Sequence, residues 1–411
     1  MSSHTSIRLH ILGLPHTITR DEFSHCAFTG KVQRFSPMMR SLPEYEVYHY
    51  GIESSQSGAD KQIDILSLSE FEDLRVQSYI LKYPGTTPEE AHTRLQDKTT
   101  FIGNLGDVST PLYSEFNKRL HTSLKENYRS TSTDIVCLPF GRGHEDAIRG
   151  QNFVCVETGI GYPDSFCNYR IFESYAYLHQ NMQKYGKHEP PHYWFVAPNY
   201  YNTLEFPLSI ISSTTSVSSS TSVSSRTERK KVGFLGRISE TKGCHIIKEI
   251  ATKFPDVDFI LCGQGDPLPF LTANVFYKEP IYGAERGEYL GSLVCLLAPS
   301  NYCEPFCGVN VEAQLCGTPV IGPDCGAFTE TVENFKTGLR CHTLQDYCYG
   351  VQLALNGGTF DRTYIGTRAR MLYNMFQVAK TYDYIFKTIL DVHNGKNGWY
   401  SPDTHIKSIT F

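Results

Sequence analysis

From Lys231 to Ile321 short apolar runs alternate with helical patterns at the tight spacing of a doubly wound parallel α/β sheet. Lys231-Val-Gly-Phe-Leu-Gly reads as a strand, and Cys244 to Phe254 as a helix with Ile246, Ile247, Ile250 and Ala251 on one face. Val257 to Cys262 is a second strand, closed by the turn Gly263-Gln-Gly-Asp. Leu293 to Ala298 (strand), Gly308 to Cys316 (helix) and Thr318 to Ile321 (strand) continue the series. Such strands are apolar on both sides because helices cover both faces of a parallel sheet.

Just before this block, twelve of the fourteen residues from Ser212 to Ser225 are Ser or Thr. That composition cannot bury a core and is expected to form a solvated linker insertion between two domains. The first half carries its own α/β signal. Arg8 to Leu14 is an apolar strand, Gly30 to Leu42 has helical period, and Glu46 to Tyr50 alternates as a strand. Asp134-Ile-Val-Cys-Leu-Pro and Asn152-Phe-Val-Cys-Val read as further buried strands, while Ser54 to Thr110 resists assignment. Tyr169 to Tyr177 places aromatic residues at helical spacing, and Tyr382 to Val392 is a helical pattern near the end. The expected layout is an N-terminal Rossmann-like domain over residues 1–205 and a linker over 206–229. A second Rossmann-like domain follows over 230–375, then a helical segment over 376–411 crossing back to the first domain.

At 411 residues two or three domains are expected, and 40% hydrophobic with 20% charged residues describes packed globular protein. A net charge of -5 argues against a general affinity for nucleic acid, although one local basic pocket remains compatible with it. No segment approaches the roughly 18 to 20 apolar residues of a membrane span, and Met1 to His10 lacks the apolar core of a secretory signal. The thirteen cysteines show no Cys-x-x-Cys; Cys303 and Cys307 come nearest to a cluster without a second pair to complete a metal site. Reduced thiols in a cytoplasmic protein, with no bound metal, are the expectation.

Two segments carry chemistry. Pro299-Ser300-Asn-Tyr-Cys-Glu304-Pro-Phe306-Cys307-Gly308-Val309-Asn-Val-Glu312 opens at the carboxyl end of a buried strand, where open α/β sheets bind ligands. The turn Phe306-Cys307-Gly308 feeds a helix whose first amides and dipole suit a diphosphate. Glu304 before the helix and Glu312 one turn inside it can face one elongated ligand, each accepting paired sugar hydroxyls. Taken alone, both are ordinary carboxylates near a helix start; the strand, glycine and small-residue helix around them point to a ligand. The second segment, Gly236-Arg237-Ile-Ser-Glu-Thr-Lys242-Gly243, follows the first strand of this half. Its planar guanidinium and point-charge ammonium can neutralise a departing diphosphate without a metal.

Residues 231 to 340 resemble the C-terminal domain of retaining GT-B glycosyltransferases, especially family 4. The resemblance rests on Phe234-Leu-Gly-Arg237 to Lys242-Gly, Ile260-Leu-Cys-Gly-Gln-Gly, the Glu304/Glu312 pair, Glu312-Ala-Gln-Leu-Cys-Gly-Thr-Pro-Val-Ile, and Gly326-Ala-Phe-Thr-Glu330. It implies two Rossmann-like domains facing across a cleft, and transfer of a sugar from a UDP- or GDP-sugar donor with retained anomeric configuration. It further implies that Arg237 and Lys242, on the loop opened by Gly236, contact the donor phosphates, and that Glu312 binds the ribose. Glu304, with the backbone at Phe306, Cys307, Gly308 and Val309, would hold the transferred sugar. Cys307 replaces a residue more often small or polar, and Gly326 stands where a Gly-Gly pair is common.

The acceptor half is less readable. Gly30 and Lys31, in a loop after the first strand, could reach the diphosphate from the opposite wall, or Lys31 could be an exposed helix-start cation. Glu157 stands where the family often has a His near the sugar, and could accept a sugar hydroxyl or support positive charge at the anomeric carbon. His144 competes with it, and a structural His reads as well. The catalytic candidates are therefore Glu304, Arg237, Lys242 and Glu157. The expected acceptor is a glycan, glycoconjugate or other hydroxyl, in a cytoplasmic enzyme with peripheral membrane contact at most. A sugar-nucleotide epimerase on the same fold, or an inactive carbohydrate-binding protein, is the alternative.

Overall fold

The structure, a computed structural model, describes residues 6–24, 26–97, 99–100, 102–103, 107–188, 193–209 and 229–395. The serine- and threonine-rich stretch at 212–225 lies outside the described residues. Internal contacts divide the chain into two units: residues 1–98, 102–201 and 373–411, and residues 99–101 with 202–372.

The first unit is built on seven strands: β1 (Ile7–Leu12), β2 (Tyr45–Ile52), β3 (Lys61–Leu66), β4 (Asp134–Leu138), β5 (Cys155–Ile160), β6 (Tyr169–Phe172) and β7 (Trp194–Val196). They pair in parallel in the order β3-β2-β1-β4-β5-β6-β7, with Leu9 opposite both Val47 and Ile135. The period of two along each strand feeds two cores. Leu9, Ile11, Ile135 and Cys137 meet Val32, Phe35, Met38 and Met39 of α1 (Ala27–Arg40), joined by Tyr382, Phe386 and Ile389 of the helix Met375–His393. On the other face Leu12, Tyr50, Val136 and Leu138 meet Leu112, Phe116, Leu120 and Leu124 of the helix Pro111–Asn127. Both faces are covered, which is why the strands read as unbroken apolar runs.

Three expectations change here. Gly30 and Lys31 lie inside α1 rather than in a loop before it. Tyr169 to Phe172 is strand β6, so its aromatic spacing is not that of a helix. The unassigned stretch from Ser54 to Thr110 holds β3 and the helices Leu68–Lys82 and Pro88–Gln96, each opened by a capping box, Ser67 with Glu70 and Thr87 with Glu90.

In the second unit, β8 (Lys231–Leu235), β9 (Asp258–Cys262), β10 (Val275–Lys278), β11 (Cys295–Leu297), β12 (Val320–Pro323) and β13 (Gly338–Cys341) pair in parallel in the order β10-β9-β8-β11-β12-β13. Helices α2 (Cys244–Ala251), α3 (Gly283–Ser292) and α4 (Gly308–Leu315) follow β8, β10 and β11. The chain winds outward to β10 on one side of β8 and to β13 on the other. The loops after β8 and β11 therefore part at a topological switch point, leaving a crevice at the carboxyl ends of the strands. No helix among the described residues is long and apolar enough to cross a membrane.

Candidate active site

The two loops predicted to bind anions are fastened to each other. Gly243, at the N-cap of α2, has φ +77° and sits so close to the β11 loop that a Cβ there would lie 2.0 Å from the Pro299 carbonyl oxygen. Only glycine fits both the space and the backbone. Asn301 completes the seam: its backbone amide donates to the Thr241 carbonyl at 3.0 Å and its side-chain amide to the Glu240 carbonyl at 3.2 Å.

Across this seam the Lys242 ammonium donates to Glu304 Oε1 at 2.7 Å, and the Ser300 hydroxyl donates to the same oxygen at 2.6 Å. Lys242 also bonds the Tyr302 hydroxyl and lies 4.9 Å from the centre of that ring. Burial by itself would lower the Lys242 pKa, but the Glu304 carboxylate outweighs it and holds the ammonium above its ordinary value. Glu304 is 4% exposed, and its backbone is pressed against Gly326, with its carbonyl accepting from the Ala327 amide at 3.1 Å. Arg237, on the same loop as Lys242, is exposed.

Cys307 caps α4 with φ +61°, the left-handed region that seldom suits a side chain, and buried Phe306 precedes it. The helix is anchored from inside by Asn310, which donates to Thr331 Oγ1 at 2.7 Å and accepts from Gln314 at 2.6 Å. Glu312 is 6% exposed and is paired with Arg286 of α3, whose Nε donates to Glu312 Oε2 at 2.6 Å. Gly236, Arg237, Lys242, Glu304, Phe306, Cys307, Gly308, Val309 and Glu312 thus occupy the loops and helix start at one end of one sheet. Arg286, Tyr302 and Ser300 join them without having been singled out from the sequence.

Residues 219–356 match the family described as Glycosyl transferases group 1. This stretch is a group 1 glycosyl transferase domain. Over 130 residues the chain is 31% identical to the alpha-maltose-1-phosphate synthase of Mycolicibacterium smegmatis, an alignment covering 28% of this chain and 33% of that protein. The chain spans about a third of the length of the curated relatives it matches. In structure it resembles sucrose-phosphate synthase from Thermosynechococcus elongatus, with a TM-score of 0.62, 13% identity, and coverage of 94% of this chain and 100% of that one. It also resembles Anabaena HepE in complex with UDP and glucose, with a TM-score of 0.59, 14% identity, and coverage of 93% and 100%. At these identities the likeness concerns the fold, which is the GT-B arrangement of two parallel sheets implied by the motifs of the transferase domain.

Outside the group 1 glycosyl transferase domain, the first-unit candidates have other partners. Lys31 is nearly buried, with its ammonium donating to the Gly159 carbonyl at 2.8 Å, bonded to Glu173 Oε1, and 4.2 Å from the centre of the Phe28 ring. It is therefore not the exposed helix-start cation, and its charge is met inside the first unit. Gly30 lies beneath the Arg34 guanidinium in the same helix. Glu157 is fully buried and accepts from the Phe166 and Cys167 amides at 2.8 Å each and from the Tyr162 hydroxyl at 3.2 Å. Burial pushes its carboxyl up to about 7 against these bonds. A carboxylate closed off in this way fastens the loop after β5. His144 is also fully buried, and neither ring nitrogen has a partner among the described residues.

Proposed function

We propose that this protein is a retaining, family 4 glycosyltransferase moving a sugar from a UDP- or GDP-sugar to an acceptor hydroxyl on a glycan or glycoconjugate. The observation that carries the reading is the Lys242–Glu304 contact across the seam of two loops at the switch point of the second sheet. It brings the cation for a diphosphate and the carboxylate for a sugar to one spot. A HepE structure containing UDP and glucose supports a nucleotide sugar as donor.

The chemistry follows from charge. As the bond between sugar and diphosphate breaks, negative charge grows on the phosphate oxygens, and Arg237 and Lys242 stabilise it as fixed cations where a metal would otherwise be needed. Glu304 orients the sugar through its hydroxyls, and the departing phosphate takes the acceptor proton, so no protein nucleophile is required. The acceptor is a hydroxyl compound rather than a nucleic acid, consistent with the net charge of -5. We place the enzyme in the cytoplasm, with peripheral membrane contact at most.

A panel of UDP- and GDP-sugars screened by thermal shift identifies the donor, and variants then test the site. Lys242→Ala and Arg237→Ala should each weaken nucleotide binding roughly ten- to a hundredfold, since a charge-assisted contact is worth about 1.5–3 kcal/mol. Glu304→Gln should bind nucleotide nearly normally and transfer sugar roughly a hundredfold more slowly or worse. Full turnover in Glu304→Gln, or normal affinity in both cation variants, would sink the assignment.

A further inference from the structure

We propose that Arg286 is a positioning residue for nucleotide recognition: it fixes Glu312 so that the second carboxylate oxygen, Oε1, is presented to the ribose hydroxyls of the donor. This rests on the reading of Glu312 as the ribose ligand.

The argument begins with how the pair is made. Arg286 Nε and Nη2 both approach the same oxygen, Oε2 of Glu312. A guanidinium that binds a carboxylate side-on through two oxygens uses up its most accessible lone pairs; one that gathers two nitrogens on a single oxygen leaves the other oxygen to a ligand. The pair is also asymmetric in exposure, with the Arg286 side chain 23% exposed and that of Glu312 8%. Glu312 is held inside the helix packing, and Arg286 comes in from the solvent side.

The platform carrying Arg286 is rigid. Gly287 beside it packs so tightly that a Cβ would lie 2.4 Å from the Glu205 carbonyl oxygen. The Thr318 hydroxyl donates to the Leu290 carbonyl at 2.7 Å, and the Cys316 thiol donates to the Gly287 carbonyl at 3.4 Å. Helix α3 is thereby tied to the end of α4 and the start of β12, so the guanidinium reaches Glu312 from a fixed base. A carboxylate this buried gains from a fixed cation, which narrows it to one rotamer. Two hydroxyls on adjacent ribose carbons need such a preset acceptor; a freely rotating one gives up entropy on binding.

The test uses the full chain and isothermal titration of UDP and GDP beside their 2′-deoxy counterparts. The wild-type chain should prefer the ribonucleotide by roughly tenfold, as expected for one or two hydroxyl contacts. Arg286→Ala should retain its thermal midpoint, bind the ribonucleotide more weakly, and lose the preference to within about twofold. Arg286→Lys, with the charge kept and the fork lost, should fall between. If Glu312→Gln abolishes the preference and Arg286→Ala keeps it, the positioning role is overturned while the reading of Glu312 stands. If Glu312→Gln keeps the wild-type preference, both are overturned and the fault lies with Glu312. Tighter ribonucleotide binding by Arg286→Ala also overturns the proposal, since it would make Arg286 a competitor for Glu312 rather than its support.

Discussion

At the scale of single residues, Cys307 is held against its own preference. Its φ of +61° is a conformation that costs an L-residue about 1–2 kcal/mol, and it stands at the turn that opens α4. Glycine would remove that cost but adds freedom to the unfolded chain, which returns part of the gain. Cys307→Gly is expected to raise the urea midpoint by the equivalent of about 0.5–1 kcal/mol. A lower midpoint would mean that packing of the thiol outweighs the backbone strain. The same scale shows where sequence reading stops. Glu304, Glu312, Lys242 and Arg237 stand out in the sequence as candidates because they sit at fixed offsets from glycines and strand ends. Arg286 lies 26 residues before Glu312, with no pattern linking the two, and only the packing of α3 beside α4 brings them together. Glu157 shows the opposite limit: a strand-end carboxylate reads alike whether it faces a ligand or turns inward, as here, onto the Phe166 and Cys167 amides.

Among the elements, the seam between the β8 and β11 loops depends on Gly243. Alanine there would combine a left-handed backbone with a 2.0 Å approach to the Pro299 oxygen, so the two loops would have to part. Gly358 has a similar φ of +78° with nothing within 4 Å of a built Cβ, and its alanine variant isolates the backbone cost. Gly358→Ala should cost about 1 kcal/mol, and Gly243→Ala more than about 2 kcal/mol together with a clear loss of nucleotide affinity. Equal melting points and equal affinities in the two variants would refute the seam. The second sheet was readable because its strands are short, apolar on both faces and bounded by glycines. The start of α1 was not, because Cys26 makes no side-chain cap bond and Gly30 with Lys31 looks like a turn. In the stretch after Ser54 the two capping boxes mark the helix starts, but neither helix has a continuous apolar face to extend that signal.

For the whole molecule, the two units differ in what acid does to them. His49 and His144 of the first unit are fully buried, and burial pushes their pKa values down to about 4 and about 3. Both stay neutral in the folded chain while the unfolded chain takes up protons near pH 6.5, so the stability they confer is present above that pH and is lost as pH falls toward 4. Glu157 works the other way: its carboxyl is raised to about 7, so its contribution grows as pH falls from 7 toward 4.5. His16, also pushed down to about 4 by burial, and His10, lowered by burial, add to the same loss, so the first unit loses stability between pH 6.5 and 4.5 despite the one raised carboxyl. The histidines of the second unit, His245 and His342, are exposed. Calorimetry of the full chain should therefore show the endotherm of the first unit moving down between pH 7 and 5, relative to that of the second. Added nucleotide identifies the second by raising it. His144→Leu sharpens the test: with no partner for either ring nitrogen among the described residues, the imidazole carries a desolvation cost that leucine lacks. The variant should be at least as stable as the wild-type chain at pH 7 and lose less stability on acidification. An unchanged pH slope in His144→Leu, or two endotherms falling in parallel, would place the acid sensitivity elsewhere.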